Sequence, residues 1–154
     1  NSGPGADVSV KDTVELAKLE GIAFVKESSR DLTRVSRLIE EIEHGGYAHY
    51  FTTLQMNLAS LMLGGTGVTL PPPAAFISNK IHRAFKAGDW VEAARLQRQF
   101  TLFPSRWMEF GLAAVMKAAL NLQGMALGDP YPPYEPLPPA ALDSLHAYLK
   151  TMDL

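Results

Sequence analysis

Apolar positions change period repeatedly up to about Leu70 and then settle into one period. Ser9-Val10-Lys11-Asp12 has capping-box spacing, and Val14, Leu16, Ala17 and Leu19 behind it predict a short helix ending near Gly21. Ile22-Ala23-Phe24-Val25 is a continuous apolar run between a glycine and a lysine. Such a run predicts a strand buried on both faces, as in a parallel sheet. Asp31 is placed to cap a second helix, whose Leu32, Val35, Leu38, Ile39 and Ile42 recur at helical spacing until Gly45-Gly46. Tyr47 to Thr53 predicts a second strand, and Leu54 to Leu63 a short apolar helix closed by Gly64-Gly65. Thr66 to Leu70 predicts a third strand, ended by Pro71-Pro72-Pro73. Strands alternating with helices in this way imply a parallel sheet.

After the prolines the period is helical throughout. Ala74 to Ala87 predicts one helix, stopped by Gly88-Asp89, and Trp90 to about Leu102 another, broken before Pro104. Trp107 to Leu122 carries Phe110, Leu112, Ala113, Val115, Met116, Ala119 and Leu120, and is expected to be one largely buried helix. Asp129 to Pro139, rich in proline and tyrosine, reads as an extended surface connector. Ala140 to Met152 predicts a last helix.

Composition narrows the function classes. The 154 residues suffice for one sizeable core. A formal net charge of −2 without a Lys/Arg run argues against nucleic acid as the main partner. There is no cysteine, hence no disulfide or thiolate chemistry, which fits a reducing cytoplasm. No apolar run approaches the roughly 18–20 residues that cross a bilayer, so no membrane partner is expected. His44, His49, His82 and His146 lack metal-ligand spacing, and neither a metal nor a cofactor is expected. His49, alternating with Tyr47 and Phe51, reads as structural, and Glu40, Glu41 and Glu43 as the solvated face of a helix. Gly64-Gly65-Thr66-Gly67 lacks the lysine of a phosphate-binding loop and reads as a tight strand–helix turn.

One residue stands out chemically. Lys26 closes the first predicted strand, so it sits at the strand's carboxyl end, where catalytic groups collect in β/α barrels. An amine enclosed there by an apolar wall has its pKa lowered, and a neutral amine can attack a ketone and form a Schiff base. The bland alternative is a lysine that begins a loop and reaches into water. Ser28 can cap the next helix; a hydroxyl that meets substrate is the role that a family resemblance implies for it. Thr52, Thr53 and Thr69 lie at strand ends, where they can hydrogen-bond substrate or simply serve as good strand residues. Of these, Thr52 and Thr69 are taken with Ser28 as substrate-binding.

Taken together, the motifs carry a resemblance. A Gly/Pro turn after Asn1 leads through a helix to Gly21-Ile22-Ala23-Phe24-Val25-Lys26-Glu27-Ser28-Ser29. Leu63-Gly64-Gly65-Thr66-Gly67-Val68-Thr69 follows, then Ala87-Gly88-Asp89-Trp90 with Ala93-Ala94-Arg95. From Asn1 to about Phe103, and more weakly beyond, this resembles the carboxyl-terminal half of the dihydrodipicolinate synthase and N-acetylneuraminate lyase family. The resemblance implies the second half of a (β/α)8 TIM barrel followed by a helical carboxyl-terminal extension. Residues 1–73 would hold strands six to eight with their helices, 74–103 the last barrel helix and the start of the extension, and 104–154 the rest of it. A start without methionine fits a chain that something precedes. The family's proton-shuttling tyrosine would directly precede Asn1, so the chain alone is expected to be inactive and to need the amino-terminal half of the barrel. Lys26 would form the Schiff base with a 2-oxo acid, and dimers or tetramers are implied.

Departures from the family pattern bear on the substrate. The turn Ser2-Gly3-Pro4-Gly5-Ala6 has no arginine, where diaminopimelate-pathway synthases hold a second carboxylate. Thr52-Thr53-Leu54-Gln55 stands where sialic-acid lyases have Gly-x-Asp-Glu, and Arg30 replaces a glycine after the lysine motif. By elimination, the expectation is a Schiff-base dehydratase of 2-keto-3-deoxy sugar acids, converting L-2-keto-3-deoxyarabonate to 2-oxoglutarate semialdehyde. The alternatives are an aldolase cleaving such an acid to pyruvate and an aldehyde, a dihydrodipicolinate synthase, or a catalytically silent barrel used as a regulator or scaffold.

Overall fold

The computed structural model describes residues 8–100 and 102–153. The chain forms two compact units, Asn1–Leu70 and Pro71–Leu154. The turn at Ser2–Ala6, on which part of the substrate argument rests, lies outside the described residues.

In the first unit, helix α1 (Val10–Ala17) starts where the capping box predicts. Ser9 Oγ accepts the Asp12 N–H at 3.0 Å, and Val14 and Ala17 are buried. Strand β1 is Phe24–Lys26, α2 is Leu32–Leu38 and β2 is His49–Thr53; a short 3₁₀ turn, Leu54–Met56, leads to α3 (Asn57–Met62) and then β3 (Gly67–Thr69). Asp31 caps α2 by accepting the Thr33 N–H at 2.9 Å. Past Leu38 the predicted helix continues as a π-helical turn, Ile39–His44. The three strands are parallel in the order β1-β2-β3, as the alternation predicts.

Period two sorts the strand residues into two faces. Register puts Phe24 beside His49, Lys26 beside Phe51, and Phe51 and Thr53 beside Gly67 and Thr69. Val25, Tyr50, Thr52 and Val68 occupy the other face, against the helices. There Tyr50 packs with Val35, Leu38, Ile39 and Ile42, all essentially without solvent exposure. Burial of that face and the helical stripes opposite it holds this unit together. The expectation that β1 is buried on both faces is corrected: Phe24 is 64% exposed and Lys26 is exposed. Among the described residues, helices of this unit cover only one face of the strand, so an apolar run does not by itself show that both faces are covered.

The second unit is helical. After a 3₁₀ turn at Pro72–Ala74 come α4 (Ala75–Lys86) and α5 (Trp90–Arg98), joined by Ala87-Gly88-Asp89. Asp89 caps α5 through the Glu92 N–H. The predicted helix from Trp107 to Leu122 is two pieces, a 3₁₀ segment Ser105–Phe110 and α6 (Leu112–Leu122). Gly111 separates them at φ 84°, a conformation that ends a right-handed helix. Ala114, Val115, Ala119 and Leu120 of α6 are buried, but Leu112 is 46% exposed, so the segment is less enclosed than its composition predicts. The proline-rich stretch leads to α7 (Pro139–Leu149). Asp153 ties the carboxyl terminus to α5 by accepting from Arg95 and Gln99. Among the described residues no helix is long and apolar enough to cross a membrane.

Candidate active site

The candidate site grows from β1 and the loop after it. Side-chain alternation continues past the strand end. Odd-numbered residues brace the backbone: Glu27 Oε1 accepts the Ser29 N–H at 2.8 Å, Ser29 Oγ accepts the Asp31 N–H at 3.0 Å, and Asp31 then caps α2. Of the even-numbered residues, Lys26 donates from Nζ to Ser28 Oγ, and Arg30 reaches across to Gln55, beyond the end of β2. Ser28 is therefore the amine's neighbour and not the cap, a role Asp31 fills.

Glu27 is the anchor beneath this loop. Its carboxylate is 6% exposed and accepts Arg34 Nε at 2.8 Å, while Arg34 also donates to Val8 O. Burial works to raise the Glu27 pKa, but the Arg34 guanidinium and the Ser29 N–H outweigh it and hold the carboxyl below the usual glutamate range. Burial, with a contribution from the Glu27 charge, pushes the Tyr50 hydroxyl far up, so Tyr50 stays neutral on the helix-facing side.

Thr69 and Thr53 share the Lys26 face, and Thr69 Oγ1 donates to Thr52 O at 3.4 Å. Thr52 does not share it. Its side chain is fully buried on the helix face, so the hydroxyl expected to meet substrate lies on the side of the sheet opposite Lys26. The physical reason is period two: neighbouring threonines at a strand end point to opposite sides, and composition does not say which one meets the helices. The apolar wall expected around Lys26 is likewise absent from this unit, since the side chain is exposed.

At the amino end of the sheet the polar groups close on one another. Glu43 Oε2 accepts the Tyr50 N–H and the Thr66 hydroxyl, each at 2.6 Å, and Oε1 faces His49 Nδ1 at 3.0 Å. Its side chain is only 16% exposed, so Glu43 is a structural hub and not part of a solvated helix face. Burial raises its pKa, but the Thr66 and Tyr50 donors and His49 prevail and hold it low. His44 donates to Leu63 O at 2.9 Å, and a Cβ on Gly64 would meet the His44 ring, so the glycine turn is the tight packing device predicted. Among the described residues no group of three or more His, Cys, Asp or Glu is arranged to hold a metal.

Sequence reasoning weighed Thr53 but left it out of the substrate-binding set, and read Arg30 and Gln55 only as departures. The signal for all three was their distance from Lys26 along neighbouring strand ends, which becomes meaningful once the register is known.

Comparison with known proteins supplies the wider frame. A profile of the Dihydrodipicolinate synthetase family matches residues 2–152. The 4-hydroxy-tetrahydrodipicolinate synthase of Mycolicibacterium paratuberculosis is 30% identical over 137 residues, which cover 88% of this chain and 45% of that protein. Among solved structures, dihydrodipicolinate synthase from Bacillus clausii superposes with a TM-score of 0.80 at 16% identity, covering 96% of this chain and 52% of that one. YagE, a prophage protein of the same family from E. coli K12, solved in complex with pyruvate, gives 0.77 at 20% identity over 90% of this chain and 50% of its own. The chain spans about half the length of the relatives it matches.

Proposed function

Because the chain belongs to the dihydrodipicolinate synthetase family, we propose that it carries the Schiff-base centre of a lyase acting on a 2-oxo acid. The observation behind this reading is Lys26 itself, at the carboxyl end of a parallel strand, exposed, with the Ser28 hydroxyl against its amine. In this reading β1, β2 and β3 are strands six, seven and eight of an eight-stranded barrel. Residues 1–73 are its closing part, 74–103 its last helix and the start of a helical extension, and 104–154 the remainder. The amino-terminal half supplies the other strands, the wall around Lys26 and the proton-shuttling acid. The assembly is a homo-oligomer working in the cytoplasm.

The chemistry is a sequence of balanced steps. Lys26 Nζ adds through its lone pair to the C2 ketone, and loss of water leaves an iminium that withdraws electrons from C3. A base removes a C3 proton to give the enamine. In a synthase or aldolase direction, C3 then bonds to an aldehyde carbon, whose oxygen takes a proton. Hydrolysis returns the free amine. Ser28 holds the amine and relays a proton at Nζ, while Thr53 and Thr69 are the hydroxyls of this chain placed to meet substrate oxygens.

The relatives named 4-hydroxy-tetrahydrodipicolinate synthase, at about 30% identity, favour carbon–carbon bond formation with pyruvate over the sugar-acid dehydratase reached by elimination. The dehydratase stays as the second reading because the Ser2–Ala6 turn lacks a cation and Thr52-Thr53-Leu54-Gln55 replaces the acidic polyol motif.

Borohydride reduction tests both, on the protein in which this chain is completed by the amino-terminal half of the barrel. With pyruvate, a reduced adduct should map to the peptide holding Lys26. Turnover of a 2-keto-3-deoxypentonate to a dehydrated product would favour the second reading. No adduct from folded protein with either acid would remove the Schiff-base assignment altogether.

A further inference from the structure

Lys26 and Ser28 are both exposed, yet the backbone between them is fixed from the other side of the sheet. Glu27, the residue between them, turns to the helix-covered side and is only 6% exposed. Its own N–H donates to Phe51 O at 2.9 Å, which carries the β1–β2 pairing one residue past the strand. Its carboxylate accepts the Ser29 N–H at 2.8 Å through Oε1 and Arg34 Nε at 2.8 Å through Oε2, and the Ser28 N–H adds to it. Ser28 therefore has a fixed peptide on each side, and its hydroxyl accepts from the Lys26 amine. An exposed serine in an unbraced loop would spread over many backbone states, and that freedom is removed here before substrate arrives.

Arg34 extends the brace. Its Nη2 donates to Val8 O at 3.0 Å and approaches Thr13 Oγ1 at 3.5 Å, so one side chain of α2 joins the Lys26 loop to the start of α1. Burial opposes a charge on Glu27, but Arg34 and the serine N–H groups keep its carboxyl below the usual glutamate range, so the acceptor stays ionised. Arg37 and Arg95 meet their glutamates on exposed helix surfaces, three or four residues away. The Glu27–Arg34 pair is more enclosed and links a strand-end loop to a helix. Two charges taken out of water are a weak source of stability, because desolvation offsets their attraction. Their placement directly behind the amine points to geometry as their use.

We propose that Glu27, held by Arg34, is a positioning residue for imine formation: it fixes the backbone on both sides of Ser28 and so keeps the Ser28 hydroxyl on the Lys26 amine. The role rests on the Schiff-base reading above and deepens it. As the bond from Nζ to C2 forms, Ser28 Oγ accepts one amine proton and hands its own to the ketone oxygen. Neither Glu27 nor Arg34 touches substrate; both act through Ser28. A displacement of about 1 Å at a reacting group can cost on the order of a hundredfold in rate, so a rigid backbone at Ser28 matters to the step.

The test uses the completed barrel and the rate at which borohydride traps pyruvate on Lys26, read by mass. Glu27→Gln keeps the size, but the carboxamide NH2 must face either the Ser29 N–H or the guanidinium, donor against donor. Trapping should slow by about tenfold, the worth of a hydrogen bond to a charged group. Ser28→Ala should still form the adduct, more slowly, because Lys26 remains. In that background Glu27→Gln should add little or no further loss, since two residues acting through one contact are not additive. Arg34→Lys, a point charge without the fork, should lose less and with the same dependence on Ser28. Equal losses with and without Ser28 would overturn the proposal and leave Glu27 a fold-holding residue, and so would a Glu27→Gln protein that traps at the full rate. Amide exchange in the unsubstituted protein needs no variant to fold: the Ser29 N–H should exchange at least about tenfold more slowly than an unprotected amide, and open-loop exchange would overturn the brace. Absence of any adduct in the unsubstituted protein sinks the Schiff-base reading, whereas an adduct whose rate ignores Glu27 sinks this proposal alone.

Discussion

The two ends of the three-stranded sheet are built from similar residue types and behave oppositely. At the amino end, Glu43 gathers a backbone N–H, a threonine hydroxyl and a histidine within 3.0 Å, and His44 closes onto a carbonyl. At the carboxyl end, Lys26 and Arg30 have no carboxylate partner among the described residues, and Thr53 and Thr69 face away from the helices. A satisfied polar network stabilises and has nothing left to offer a ligand, whereas unsatisfied cations on a braced loop are available for one. The difference teaches that placement relative to strand direction, and not residue chemistry, separates the structural end from the end where the Schiff-base centre is proposed.

Breaking the reactive end should have the largest effect. Lys26→Ala removes the proposed covalent centre and should cut turnover on the order of 10⁴-fold or more while abolishing the borohydride adduct. Because the Lys26 amine bonds only to Ser28 among the described residues, the melting temperature should fall far less than when the opposite end of the sheet is broken. A comparable fall in stability would mean the two ends are not separate in role.

Breaking the structural end should do the reverse. Glu43→Ala strands the Tyr50 N–H and the Thr66 hydroxyl and should destabilise the fold by about 2 kcal/mol, read from denaturant midpoints. Adduct formation in protein that remains folded should be unaffected. A rise in stability would contradict the hub role.

The face assignment sharpens the comparison further. Thr53→Val should raise the KM for a hydroxylated or carbonyl substrate by about five- to tenfold, the worth of a neutral hydrogen bond. Thr52→Val, on the helix side, should leave KM unchanged and shift stability by less than about 1 kcal/mol. Reversal of that pattern would show the two threonines assigned to the wrong faces.

Acid should expose the smallest difference. Glu27 and Glu43 both have carboxyls held below the usual glutamate range in the folded state. Their stabilising contribution is therefore complete above the ordinary value of about 4.3 and is lost as pH falls through their lowered folded values. Stability measured between pH 6 and pH 3 should fall at the acid end, and Glu43→Gln should flatten part of that slope. An unchanged slope in the variant would assign the acid sensitivity elsewhere.

Much of the first unit is legible in the residues because each element has a local cause. Ser9 and Asp31 cap the helices they were expected to cap, and Val35, Leu38, Ile39 and Ile42 form the stripe their spacing predicts. The parallel order follows from alternation alone. Legibility fails where the determinant is not local. Gly111 interrupts a segment that looks uniformly helical, because one residue at positive φ outweighs the apolar period around it.

By itself, then, the sequence determined which segments are strands and helices, that the strands run parallel, and that a lysine closes the first of them. These are consequences of period, caps and glycine turns, all set within a few residues. Only the tertiary structure decided which threonine shares the face of Lys26, that Glu43 is largely enclosed and bonded, and that Arg30 lies beside Gln55, 25 residues away. Register and pairing across strands are long-range properties, and a shift of one residue would exchange every side chain between the helix-covered face and the face that carries Lys26.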